Sequence, residues 1–173
     1  GLMAAPSIFI CHAQPDAAFA QKIKIAMENC RLSVWHDSRN LRGGDRLAPE
    51  IRWAIEQARQ VIVVLGLSTG DPPWLRREVE LAQEVERRRA DSYRVIPLLL
   101  PGVDSAIPAH WFGPTPRSAP IELLSDGLGS VLPALLAALG EPPPAEAPSS
   151  RTPPPLAELE LNFSRNESSP ADS

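Results

Sequence analysis

The run Val61-Ile-Val-Val-Leu65 sets five apolar side chains in succession and leaves no polar residue for a solvent-facing side. A strand of this kind is dry on both faces, the condition of a parallel sheet covered by helices on either side. Ser7-Ile-Phe-Ile-Cys11, Leu32-Ser-Val-Trp-His36 and Arg94-Val-Ile-Pro-Leu-Leu-Leu100 read as three more strands. The segments between them carry a helical period. Phe19, Ile23, Ala26, Met27 and Cys30 form one stripe, Ile51, Ala54, Ile55 and Ala58 line the inner face of a helix over Pro49 to Arg59, and a third helix runs from Trp74 to Arg89. Strands separated by such helices require right-handed crossovers, so the expected fold is α/β, a doubly wound parallel sheet with helices on both faces. Ile121-Glu-Leu-Leu124 and Val131 to Leu139 add a weaker fifth strand and last helix, after an irregular loop from Pro101 to Pro120. Pro97 has no ladder donor and is expected near an edge or bulge.

Length and composition bound the rest. With 173 residues and 43% hydrophobic content, the chain can build one core and has chain left over. The excess is C-terminal: prolines at 142, 143, 144, 148, 153, 154 and 155 mark an extended linker. The expected organisation is a leader over 1–6, a domain over 7–140, a linker over 141–155 and a tail over 156–173. In that tail Leu156 to Phe163 alternates like the first strand of a downstream domain, or is disordered. A net charge of −4 and a pI near 5.4 give no pull towards nucleic acid or anionic lipid. The basic run Arg87-Arg88-Arg89 reads as a solvated helix end. Cys11 and Cys30 fit no metal-binding spacing, so a reducing cytoplasmic setting is expected. No apolar run reaches the roughly 18 residues of a membrane span.

In a doubly wound sheet, ligands bind beyond the carboxyl ends of the strands where strand order reverses. The connections after the first three strands meet there. They contribute His12 to Gln14, the polar loop Asp37 to Arg46 with Gly43-Gly44, and the helix after Val61–Leu65. Glycines allow close backbone approach, Arg39, Arg42 and Arg46 suit phosphates, and Trp35 offers a stacking surface or a core side chain. At the start of the third helix Asp71 is expected as N-cap and Pro72 or Pro73 as first-turn residues. Trp74 and Glu78, four apart, then share a face, so the ring can shield the carboxylate. Such an inventory suits a nucleotide.

Phe9-Ile-Cys-His-Ala13, Val34-Trp-His-Asp37 with Leu41-Arg-Gly-Gly-Asp45, Val61 to Leu65, Trp74-Leu-Arg-Arg-Glu78 and Val95-Ile-Pro-Leu98, in this order and spacing, resemble a bacterial Toll/interleukin-1 receptor (TIR) domain. The resemblance implies a flavodoxin-like sheet of about five strands in the order 2-1-3-4-5. It also implies, as in many members, an NAD⁺ glycohydrolase releasing nicotinamide and leaving ADP-ribose or a cyclic form. NAD⁺ would be substrate, with no cofactor and no metal. The family's W-x-x-x-E glutamate falls on Glu78. The family's loop after strand two falls on Asp37 to Leu47, and together with the converging connections the expected substrate-binding set is His12, Ala13, Trp35, Asp37, Leu41, Arg42, Gly43, Gly44, Asp45 and Trp74. Cys11 and Gly66 depart from the serines common at those positions.

Breaking the nicotinamide–ribose bond creates an oxocarbenium-like centre that a nearby carboxylate stabilises, and the leaving group already carries positive charge, so one acid is enough. Against this, Glu78 reads as an exposed helix residue paired with an arginine. The enzyme is expected to be activated by oligomerisation as the effector of a larger bacterial defence or signalling protein. Two rivals stand beside it. One is a non-catalytic TIR module that works only by self-association or by recruiting similar domains. The other is a serine hydrolase, since Gly66-Leu-Ser-Thr-Gly70 satisfies G-x-S-x-G and Asp104 and His110 follow Ser68 in hydrolase order.

Overall fold

The computed structural model describes residues 6–36, 47–89, 92–114, 116–123, 129, 132–138 and 140. The chain divides into two units, Gly1–Pro142 and Pro143–Ser173, and every described residue belongs to the first. In chain order the elements are β1 (Ile8–Cys11), a 3-10 turn (Gln14–Asp16), α1 (Ala17–Glu28), β2 (Val34–His36), α2 (Pro49–Gln57), β3 (Gln60–Leu65), α3 (Pro73–Arg89), β4 (Val95–Leu99), α4 (Ala106–Phe112), β5 (Ile121–Glu122) and α5 (Leu132–Ala138). The expected leader, the loop Asp37 to Arg46, the linker and the tail lie almost wholly outside the described residues.

Among the described residues the strands form one parallel sheet in the order β2-β1-β3-β4-β5, the flavodoxin-like order. β1, β3 and β4 are buried at every position, as their unbroken apolar runs require. Side chains alternate between two layers. Phe9, Cys11, Val61, Val63, Leu65 and Val95 pack under Ile51, Ala54 and Ile55 of α2 and Leu75, Val79 and Val85 of α3. Ile8, Ile10, Ile62, Val64, Ile96 and Leu98 pack under Ala20, Ile23 and Met27 of α1 and Leu135 and Leu136 of α5. Fully burying one such Ile or Leu contributes about 1.5–3 kcal/mol, so both layers are needed.

Pro97 sits where its missing donor costs least. Arg94 O and Leu100 N both bond β3, so alternation turns the Pro97 nitrogen towards β5, whose pairing begins only at Leu98. The expected irregular loop from Pro101 to Pro120 contains a helix instead, α4. Its Pro108 falls in the first turn, where a proline removes no intrahelical bond, and Ala106 N–H donates to Asp104 Oδ1 at 2.9 Å.

The basic run at the end of α3 is only partly solvated. Arg87 and Arg88 are exposed, but Arg89 donates to Ala58 O at 2.7 Å and Glu56 O at 3.3 Å, and Tyr93 Oη donates to Ile55 O at 2.8 Å. The carbonyls at the end of α2, which have no partner within their own helix, are satisfied by Arg89 at the end of α3 and by Tyr93 just before β4. Among the described residues no helix is long and apolar enough to cross a membrane.

Candidate functional site

α3 leaves the sheet through residues 66–72. Pro72 O accepts from both Leu75 N and Arg76 N at 3.1 Å, so the helix starts at the prolines, whose missing donors would have been unpaired. Asp71 does not cap it. Its carboxylate accepts from His110 Nε2 at 2.9 Å and from Arg76 Nε and Nη2 at 3.2 and 3.1 Å. The His110 hydrogen bond, helped by Arg76, holds the Asp71 carboxyl below the usual range. Arg76 in turn stacks 4.0 Å above the Trp111 ring, tying α3 to α4.

Glu78 is 0% exposed, which removes the reading of it as a solvated helix residue. It follows Leu75 by three positions and precedes Ala82 by four, both buried in the layer between α3 and the sheet, so it belongs to the same helical face. A carboxylate enclosed among such side chains is costly unless the surroundings compensate it, which is why buried acids cluster at functional sites. Trp74, Trp35 and Ala13 lie against this same layer. Trp35 is half-buried and packs at 6.0 Å against Trp53, so it is a core side chain at the rim of the sheet.

His12 does not join that group. Ile10 is in register with His36, and both rings fall on the α1 side of the sheet, 5.3 Å apart. His12 Nδ1–H donates to Ala13 O at 2.8 Å, which leaves Nε2 to meet His36 Nδ1 at 3.3 Å.

Asp16, expected to cap α1, makes no cap hydrogen bond. It accepts instead from Thr69 Oγ1 at 2.6 Å, while Gly66 N–H donates to Thr69 Oγ1 at 2.7 Å. Asp16 and Thr69 are 6% and 4% exposed. Burial pushes the Asp16 carboxyl up, against the lowering pull of the Thr69 bond and the nearby His12. The departure from serine at Gly66 has its cause here: a Cβ would stand 2.8 Å from Asp16 Oδ1 and 2.9 Å from Leu100 Cδ1. Sequence spacing gave no signal for this lock, because its members lie in different connections.

Asp37, Leu41, Arg42, Gly43, Gly44 and Asp45, with Arg39 and Arg46, lie outside the described residues. Two clefts formed by described residues do not include Glu78. One, of about 270 Å³, opens between residues 66–70 and α4, with Leu67 and Ile107 among its walls and His110 and Trp111 on its α4 side. The hydrolase arrangement is not assembled beside it. His110 engages Asp71, Asp104 accepts from Ala106, and α3 begins only at Pro73, well after Ser68. Among the described residues no group of His, Cys, Asp or Glu could hold a metal ion.

The TIR domain family profile matches residues 8–126. No functionally curated protein matches the sequence. Among solved structures, the chain is similar to the TIR domains of the activated Roq1 resistosome directly recognizing the pathogen effector XopQ, with a TM-score of 0.51 and 19% identity. That likeness covers 59% of this chain and 61% of the other, so the chain spans about three fifths of its length. At this identity it speaks for the fold alone.

Proposed function

The chain belongs to the TIR domain family, and from that premise we propose that it cleaves the nicotinamide–ribose bond of NAD⁺, with Glu78 as the catalytic carboxylate. The observation that carries the reading is the complete burial of Glu78 on the sheet-facing side of the helix after β3. An acid at that place is an expensive choice for packing and an effective one for charge stabilisation.

In the reaction the C1′–N bond breaks with its electron pair going to nicotinamide, which leaves neutral. Positive charge spreads over C1′ and the ring oxygen, and Glu78 stabilises it. Water then adds at C1′ and loses a proton, giving ADP-ribose; attack by an adenine nitrogen gives a cyclic product. Because the leaving group starts cationic, protonation of it contributes nothing, and one carboxylate is enough. Ala13, Trp35 and Trp74 wall this side of the site. A sealed Glu78 also implies that substrate enters after a rearrangement. Self-association of the domain, within a larger cytoplasmic signalling or defence protein that carries its trigger, provides one.

The same burial favours a second reading, in which the domain works only by self-association and the acid is never reached. Chromatography of NAD⁺ incubated with concentrated or artificially clustered protein separates the two. Nicotinamide release that disappears in Glu78→Ala supports the enzyme. No release at any protein concentration leaves the assembly module.

A further inference from the structure

We infer that Thr69 and Asp16 are positioning residues for Glu78, fixing the connection that delivers α3 to the site through one relay of hydrogen bonds. The inference rests on the reading that Glu78 serves NAD⁺ cleavage.

Residues 66–72 are all that separates β3 from the first turn of α3, so their path sets where that helix starts and how it is rotated. Three bonds fix the path. Gly66 N–H donates to Thr69 Oγ1 at 2.7 Å, Thr69 N–H donates to Gly66 O at 3.3 Å, and Thr69 Oγ1–H donates to Asp16 Oδ2 at 2.6 Å. The hydroxyl is used in both directions, as acceptor from the loop and as donor to the β1 connection, a combination that Ser and Thr supply and Val does not. Asp16 is itself held, since its N–H donates to Ala13 O at 3.0 Å, and Ala13 packs in the same layer as α3. Gly66 completes the fit, because any side chain there would enter the space that Asp16 and Leu100 occupy. The relay therefore ties the start of α3 to the end of β1, the two elements that bring Glu78 and Ala13 to one side of the sheet.

A carboxylate enclosed at interior density has little freedom to correct a displaced helix. A misplacement on the order of 1 Å in a catalytic group costs about 10²-fold in rate. Thr69→Val keeps the side-chain shape and removes the hydroxyl; Thr69→Ser keeps the hydroxyl and removes a methyl. In clustered, folded protein, Thr69→Val is expected to lower kcat by about 10-fold or more with KM within about twofold, and Thr69→Ser to retain kcat within about threefold. Asp16→Ala is expected to follow Thr69→Val. In parallel, backbone amide resonances are compared in each variant. The inference requires that Thr69→Val and Asp16→Ala move the amides of Gly66 and of residues 74–78 together, and that Thr69→Ser leaves them near wild type. Equal effects of Val and Ser, or unchanged amides at 74–78 in Thr69→Val, would overturn it. If wild-type protein releases no nicotinamide, the catalytic reading fails, and the resonances alone decide whether the relay sets the helix.

Discussion

Thr69 Oγ1 lies 2.6 Å from Asp16 Oδ2, a buried hydrogen bond between residues 53 positions apart that joins the connection after β3 to the one after β1. The two connections border the end of the sheet where the candidate acid is delivered. Gly66 makes the approach sterically feasible. The properties of this rim follow from two side chains, Thr69 and Asp16, and one missing one at Gly66.

Gly66→Ala is expected to destabilise the domain by about 1–3 kcal/mol, the cost of forcing a methyl into an occupied site. The new Cβ would stand within 3 Å of both Asp16 and Leu100. Urea unfolding measures this, and the double variant Gly66→Ala/Asp16→Ala should lose less than the sum of the single losses, because the two changes share one contact.

Asp16 makes stability depend on pH with a defined sign. Burial raises its carboxyl in the fold above the ordinary aspartate value, against the lowering pull of Thr69 and His12. Between the unfolded value and that higher folded value the native state holds more protons than the unfolded chain, so this group's contribution falls as pH rises through the window and is constant above it. Asp16→Asn removes the titration. Subtracting the variant's unfolding free energies from the wild type's across pH 3 to 8 should isolate a declining step; a flat or rising difference contradicts it.

Tyr93→Phe is expected to cost about 1–2 kcal/mol, because it leaves the buried Ile55 carbonyl at the end of α2 without its donor. Burial also pushes the phenol well above its ordinary range. Ultraviolet titration should therefore show this single tyrosine ionising only when the domain unfolds in alkali.

The sheet is largely legible in the sequence, because Val61 to Leu65 and its counterparts have no polar side to offer water. The layer under α2 was readable for the same reason: Ile51, Ala54, Ile55 and Ala58 recur at helical spacing, and all four are buried. α4 was not, since seven residues containing Pro108 carry too little period to separate a helix from a loop. Asp16 and Asp71 look alike in sequence, each an acid before a helix, yet both spend their carboxylates on partners brought near by the fold. Local spacing reports a capping preference, and here tertiary hydrogen bonds outweigh it. For the site, Trp74 and Glu78 were legible as neighbours on one helix. That His12 turns to the opposite side of the sheet follows from alternation along β1, which sets it with Ile8 and Ile10 and apart from Cys11 and Ala13.

In the proposed reaction Glu78 stabilises the cation formed when NAD⁺ loses nicotinamide. The most direct measurement is chromatographic quantification of nicotinamide released by clustered wild-type protein beside Glu78→Gln, which keeps the side-chain size and removes the charge. Steady release by the wild type is expected, with a fall of at least about 10²-fold in the variant at unchanged folded content, the usual scale for removing a preorganised stabilising group. Equal release by both proteins would contradict it.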